Sequence, residues 1–231
     1  MSAAERDNEA IRDASEALYR LLSDLGRRAA FPPDIPFQAG QARGKRFNAT
    51  IGQITDGHGR IMALPVIERA IDLEADERNR ALLYSPIQGI ERLRRAWQRW
   101  QRRAGETGPA SLPLVTVGLT HGLSLVADLF AGPTRPVAVA TPYWGNYRQA
   151  FALRTGAEMV TAPAYLEGRF HPQAISAALT GVRPGEPAIA ILNAPSNPGG
   201  YSPPAAERRA LVESLLTVAE SRPLLVVCDD A

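Results

Sequence analysis

The sequence predicts an α/β fold, a mainly parallel sheet with helices on both faces, preceded by an N-terminal helical arm. Three observations carry this. From residue 114 onward, short β-rich runs alternate with helical stretches. Those runs are apolar almost throughout rather than at every second residue, as expected of strands covered on both faces. Of the 231 residues, 45% are hydrophobic, enough to bury a sizeable core.

The elements follow in order. Ser2 caps a first helix, and Glu5 three residues on completes a capping box. Ile11, Ala14, Leu18, Leu21, Leu22 and Leu25 then keep helical spacing, and Gly26 ends the helix. A Pro/Gly-rich stretch, Phe31-Pro32-Pro33 to Gly44, reads as an extended arm or linker. An apolar piece over residues 47–51 stops at Gly52, and Asp56-Gly57-His58-Gly59 is a turn. A second helix begins near Leu64, with Pro65 at an early position. A third covers about Ile90 to Arg103. Its apolar positions are Ile90, Leu93, Trp97 and Trp100, and Arg92, Arg94, Arg95, Arg99, Arg102 and Arg103 fill much of the rest. A solvated arginine face on an amphipathic helix accounts for that pattern without nucleic acid.

After a loop over residues 105–113 the alternation begins. Strands are expected at 114–117, 136–140, 158–161, 188–192 and 224–228. Between them lie a helix to about Phe130, one from Asn146 to Thr155 stopped by Gly156, one from Pro172, and one capped by Ser202 with Pro203 first.

Charge and cysteine content narrow the function classes. The formal net charge is +2, too small to imply nucleic acid or a membrane surface. The single cysteine, Cys228, forms no internal disulfide, which fits a reducing, cytoplasmic setting. No basic segment leads into an apolar run at the start, and no apolar run is long enough to span a bilayer. Lys45 is the only lysine.

Ligands of an open parallel sheet bind beyond the carboxyl ends of its strands. The loops there read Gly118-Leu119-Thr120 opening a helix, Pro142-Tyr143-Trp144-Gly145-Asn146, the run from Asn193 to Gly200, and Asp229-Asp230-Ala231. Each has an ordinary structural explanation: a turn glycine, a core tryptophan, Ser-Asn-Pro-Gly-Gly as turn chemistry, paired aspartates as a helix cap. Together at one sheet edge they offer an anion site at a helix start, an aromatic platform, a neutral hydrogen-bonder and a carboxylate.

In these motifs the sequence resembles the class I/II aminotransferases, pyridoxal-phosphate (PLP) enzymes of fold type I, from about Asn48 to the last residue. Tyr84-Ser-Pro-Ile-Gln-Gly89-Ile-Glu-Arg-Leu-Arg is similar to the family's Tyr…Gly…Leu-Arg motif. Pro142-Tyr-Trp-Gly-Asn-Tyr147 is similar to its Pro-x-aromatic motif, Asn193-Ala-Pro-Ser-Asn-Pro-Gly-Gly200 to its Asn-Pro-Thr-Gly loop, and Val226-Val-Cys-Asp-Asp-Ala231 to its Asp-x-Ala-Tyr strand end.

The resemblance implies that Asp229 faces the pyridine nitrogen of PLP, that Asn197 bonds its 3-oxygen and that Trp144 stacks on its face. It implies that Leu119 and Thr120 bind the phosphate at the helix start, that Tyr84 reaches the phosphate of a neighbouring subunit in a homodimer, and that Ile51 and Gly52 lie near the substrate carboxylate. Residues 1–47 would be an arm of the small domain and 48–231 the PLP-binding large domain. Gly199 stands where the family has threonine, and Gly118 leaves Thr120 as the phosphate loop's side-chain donor. His121 beside it reads as a helix-surface residue.

The family's Schiff-base lysine would follow Ala231, and Lys45 offers no route to the cofactor. The resemblance therefore implies a C-terminally truncated chain without a catalytic lysine, unstable and inactive alone. The strand at 114–117 would lack its neighbour, and the one at 224–228 would be an unpaired edge. The expected reaction moves an amino group from an amino acid to a 2-oxo acid. Alternatives are a PLP-dependent C–S lyase, a non-catalytic aminotransferase-like domain, and a dinucleotide-binding domain. The last lacks a Gly-x-Gly-x-x-Gly turn after its first strand. No metal is implied.

Overall fold

The computed structural model describes residues 1–30, 35–103, 105 and 108–231, giving backbone alone at 35 and 36. The chain forms two compact units, Met1–Ala30 with Val117–Ala231, and Phe31–Thr116.

The first unit opens with three helices where one is expected: α1 (Ala3–Ala14), α2 (Glu16–Leu21) and α3 (Asp24–Arg28). The capping box at Ser2 and Glu5 is present. The breaks fall at Ser15 and Ser23, whose hydroxyls accept the N–H groups of Leu18 and Gly26. A serine that bonds forward to the backbone competes with helix continuation and starts a new helix instead. Gly26 therefore lies inside α3 rather than ending a helix.

The sheet of this unit has the order β2-β1-β5-β6, all parallel, with β1 Val137–Thr141, β2 Met159–Pro163, β5 Ala188–Asn193 and β6 Leu224–Asp229. Side chains alternate across it. Val137, Val139, Ile189 and Ile191 meet α8 (Leu119–Phe130) and a π-helical turn (Arg148–Leu153) on one face. Ala138, Ala188 and Ala190 meet α9 (Ala174–Leu179) and α10 (Ala205–Ser221) on the other. Small residues on the second face let its helices approach closely, while Phe151 and Tyr147, fully buried, fill the first.

Between β2 and α9 lies a hairpin the sequence pattern did not disclose, β3 (Tyr165–Leu166) with β4 (Arg169–Phe170). Its turn residues Glu167 and Gly168 both have positive φ, 50° and 75°, the geometry of a tight hairpin. Helix α10 starts at Ala205, with Pro204 as its N-cap and no side-chain cap bond, so Ser202 does not cap it.

No strand forms at 114–117. Among the described residues nothing pairs with it as a strand; the Val115 N–H donates instead to the Gln88 carbonyl. A strand exists only through its partner.

The second unit holds α4 (Ile35–Gln41), α5 (Pro65–Ile71), α6 (Ala75–Ala81) and α7 (Glu91–Arg103). Helix α4 replaces part of the expected extended arm; Phe31-Pro32-Pro33 lie outside the described residues. Asp56 builds the expected turn by accepting the His58 and Arg60 N–H groups. Gly89 has φ +93°, and a Cβ there would fall 2.2 Å from Val115 Cγ2, so only glycine fits. Helices α5, α6 and α7 bury no residue; Trp97 and Trp100 pack on one another at 4.9 Å but stay exposed. On α7, Arg95 pairs with Glu91 and Arg94 donates to the Pro113 carbonyl.

Candidate active site

Strand β1 is followed in sequence by β2 on one side of it, whereas β5 and β6 lie on the other. The direction of the winding reverses between β1 and β5, and loops leaving two such strands diverge to open a crevice at their carboxyl ends. The segment 142–147 leaves β1 there and the segment 194–200 leaves β5.

Asp229 ends β6 in register with Asn193, the last residue of β5. It is one of two buried charged or polar side chains among the described residues, 7% exposed. Its carboxylate is held by neutral donors: the Tyr147 hydroxyl at 2.5 Å on Oδ2 and the Ala231 N–H at 3.3 Å on Oδ1. Among the described residues no cationic side chain pairs with it. Burial, and then the hydrogen bond and charge of Asp229, push the Tyr147 phenol far above the ordinary tyrosine value, so it remains a donor. The Tyr147 ring stacks beside Tyr143 at 6.3 Å and meets Trp144 edge-on at 5.7 Å. One buried tyrosine thus supports both the carboxylate and the tryptophan.

The loop after β5 is closed by the Ser196 N–H donating to the Tyr201 carbonyl and the Tyr201 N–H to the Ser196 hydroxyl. The Asn197 N–H donates to Asn193 Oδ1 at 2.5 Å, and Asn193 Nδ2 donates to the Asp229 carbonyl at 3.1 Å. Asn197 itself is exposed, and its side-chain amide has no hydrogen-bond partner among the described residues. At Gly199 a Cβ would sit 2.6 Å from Ser196 Oγ, which explains a glycine there.

Helix α8 runs antiparallel to β1. Its end, Leu129 and Phe130, lies beside the strand starts at Ala188 and Leu224, so Leu119 and Thr120 lie at the carboxyl edge with Asp229. Gly118, at φ +78°, is its N-cap and carries no side chain to cap the first turn. The Leu119 and Thr120 N–H groups have no intrahelical acceptor, which is the arrangement that binds an anion. His121 turns back on its own helix start, accepting the Val117 N–H on Nδ1 at 3.1 Å.

The first unit therefore gathers Leu119, Thr120, Trp144, Asn197 and Asp229 at one edge. Tyr84, Ile51 and Gly52 belong to the other unit; Tyr84 is fully exposed and Ile51 half-exposed there. Two residues escaped notice in the sequence as site residues, Tyr147 and Asn193. The one signal for each is its place at the boundary of a quoted motif: Tyr147 is an aromatic five positions after Pro142, and Asn193 a polar residue closing an apolar strand.

The donor set suits a protonated, phosphorylated pyridine ring. A buried carboxylate met only by neutral donors lacks positive charge, and a ring N–H⁺ supplies it. The Asn197 amide, an aromatic face and the start of helix α8 complete the set.

Comparison with known proteins bears on the family and the fold. The family model for aminotransferases of class I and II matches residues 46–231. The aspartate aminotransferase of Geobacillus stearothermophilus is 29% identical over 154 residues, 64% of this chain and 36% of that protein. An aminotransferase from Anaerococcus prevotii superposes with a TM-score of 0.74 at 21% identity, over 90% of this chain and 54% of its own. The aromatic-amino-acid aminotransferase of Burkholderia pseudomallei, solved covalently bound to pyridoxal phosphate, gives 0.65 at 26% identity, over 90% and 53%. The chain spans about half the length of these solved relatives and 36% of the curated one.

Proposed function

The chain belongs to the class I and II aminotransferases, and from that premise we propose that it forms the PLP-binding part of an enzyme that moves an amino group between an amino acid and a 2-oxo acid. The observation that carries this is the buried Asp229 carboxylate, held by the neutral Tyr147 hydroxyl beside Trp144 and in register with Asn193. Asp229 keeps the ring nitrogen protonated. Asn197 donates to the 3-oxygen. Trp144 covers one ring face and excludes water from it. The Leu119 and Thr120 N–H groups and the Thr120 hydroxyl hold the phosphate. The chemistry that PLP supplies when bound is an electron sink for bond breaking at the amino acid's α-carbon.

In the same reading, Tyr84 reaches the phosphate in a neighbouring subunit of a homodimer, and Ile51 and Gly52 lie near the substrate carboxylate. Residues 1–47 act as the small-domain arm and 48–231 as the large domain. A cytoplasmic setting fits the single cysteine. No helix among the described residues is long and apolar enough to cross a membrane.

Titration of the chain with pyridoxamine 5′-phosphate, followed by the ligand's own fluorescence, tests the reading. That ligand has no aldehyde, so Lys45 and the N-terminus cannot capture it covalently. Saturable binding, weakened at least about tenfold by Asp229→Ala, is expected. Binding of NAD but not of pyridoxamine phosphate, or equal affinity in Asp229→Ala, would overturn it.

A further inference from the structure

We infer that Asn193 is a positioning residue, a two-sided amide clamp that sets the spacing between the group facing the ring 3-oxygen and the group facing the ring nitrogen. This rests on the cofactor reading above and deepens it. The side-chain oxygen of Asn193 accepts the Asn197 N–H, and its side-chain nitrogen donates to the Asp229 carbonyl. Asn193 and Asp229 are also register partners at the ends of β5 and β6. One planar group thus touches the backbone of both ligand-facing residues.

The chemistry demands an amide. One partner is a donor and the other an acceptor, so the side chain must present an oxygen to the first and an N–H to the second. Rotating the amide by half a turn would set N–H against N–H and C=O against C=O, so one orientation is fixed. Aspartate could serve Asn197 but has no proton for the Asp229 carbonyl, and alanine serves neither. The clamp also leaves the Asn197 side chain unengaged. The loop that carries it hangs from β5 through Asn193 at one end and through the Ser196–Tyr201 pair at the other.

A clamp makes a prediction that mere structural support does not. It affects how well the site senses the 3-oxygen, as distinct from how well it binds overall. Pyridoxamine 5′-phosphate and its 3-deoxy analogue are titrated against the wild-type chain, Asn193→Ala and Asn193→Asp. The wild type should favour the 3-hydroxyl ligand by about tenfold, the worth of one hydrogen bond in a shielded site. In Asn193→Ala that preference should fall to about twofold or less. Asn193→Asp keeps the acceptor for Asn197 but has no donor for the Asp229 carbonyl, so its preference should fall below that of the wild type, and it remains the decisive variant should Asn193→Ala not fold. Equal losses for both ligands in Asn193→Ala, or a preference undiminished in Asn193→Asp, overturn the clamp and leave the cofactor reading standing. A wild-type chain that binds neither ligand, or both alike, removes the reading and the clamp with it.

Discussion

Tyr147 and Asp229, 82 positions apart in sequence, are joined by a 2.5 Å hydrogen bond in the buried interior of the sheet unit. The phenol donates, the carboxylate accepts, and the tyrosine ring stacks beside Tyr143 and meets Trp144 edge-on. The relationship fixes the buried Asp229 carboxylate at the carboxyl edge.

Tyr147→Phe keeps the ring and removes the donor, leaving a buried carboxylate short of a partner. A loss of about 1–3 kcal/mol in urea denaturation is expected at neutral pH. In the Asp229→Asn background the same change should cost less, because the charge is gone. The pH dependence has a definite sign. Burial and Asp229 raise the folded-state phenol above its unfolded value, so the stability it brings is fully present below about pH 10 and is lost as pH rises beyond. The gap between wild type and Tyr147→Phe should be constant from pH 7 to 9 and shrink above about pH 10. A gap that widens there would contradict the assignment.

Gly199 and Ser196 should be coupled. Gly199→Ala forces its new methyl against Ser196 Oγ, which cannot swing away without dropping the Tyr201 N–H. A loss of about 1–2 kcal/mol is expected, with much of it recovered in the double variant carrying Ser196→Gly. Thermal unfolding of the four proteins of this cycle measures the coupling, and strict additivity would show that the two positions do not contend for one space.

Cys228 should be a sluggish thiol. It is exposed on β6 at the sheet edge, and desolvation by the surrounding protein, and then the negative charge of Asp230, raise its pKa. Less thiolate than in free cysteine is therefore present at pH 8, and iodoacetamide should react more slowly with the folded chain than with the urea-unfolded one. The rate should climb steeply as pH passes 9, and Asp230→Asn should quicken it modestly. A folded chain that reacts faster than the unfolded one would reverse the sign.

The outer edge of β6 should drive self-association. The Ala188 N–H donates to the Pro223 carbonyl, and from there the parallel pattern turns every second residue of β6 toward β5. The backbone groups of Leu224, Val226 and Cys228 point the other way, with no partner among the described residues. An apolar strand with an open edge templates pairing with another chain. Val226→Lys should lower light scattering of concentrated protein and leave far-UV circular dichroism unchanged. Unaltered scattering would place the sticky surface elsewhere, for instance on the exposed Trp97 and Trp100.

The sequence by itself determined the strands at β1, β2, β5 and β6, their parallel pairing, and the crossover helices. Apolar runs of that length and β content bury on both faces in only one way. It also determined which loops carry the chemistry, because the carboxyl ends of parallel strands open onto a common edge and the motifs at Trp144, Asn197 and Asp229 each follow a strand. Local hydrogen-bond competition escaped it: Ser15 and Ser23 break one helical pattern into three because each hydroxyl bonds forward to the backbone. So did the fate of 114–117, which forms no strand and whose Val115 N–H donates to the Gln88 carbonyl instead. Only the tertiary structure decided that Tyr147 supports Asp229 and that Asn193 ties Asn197 to it. Those contacts join residues on, or in the loops after, different strands, and their existence depends on sheet order and register, which periodicity along one segment does not encode.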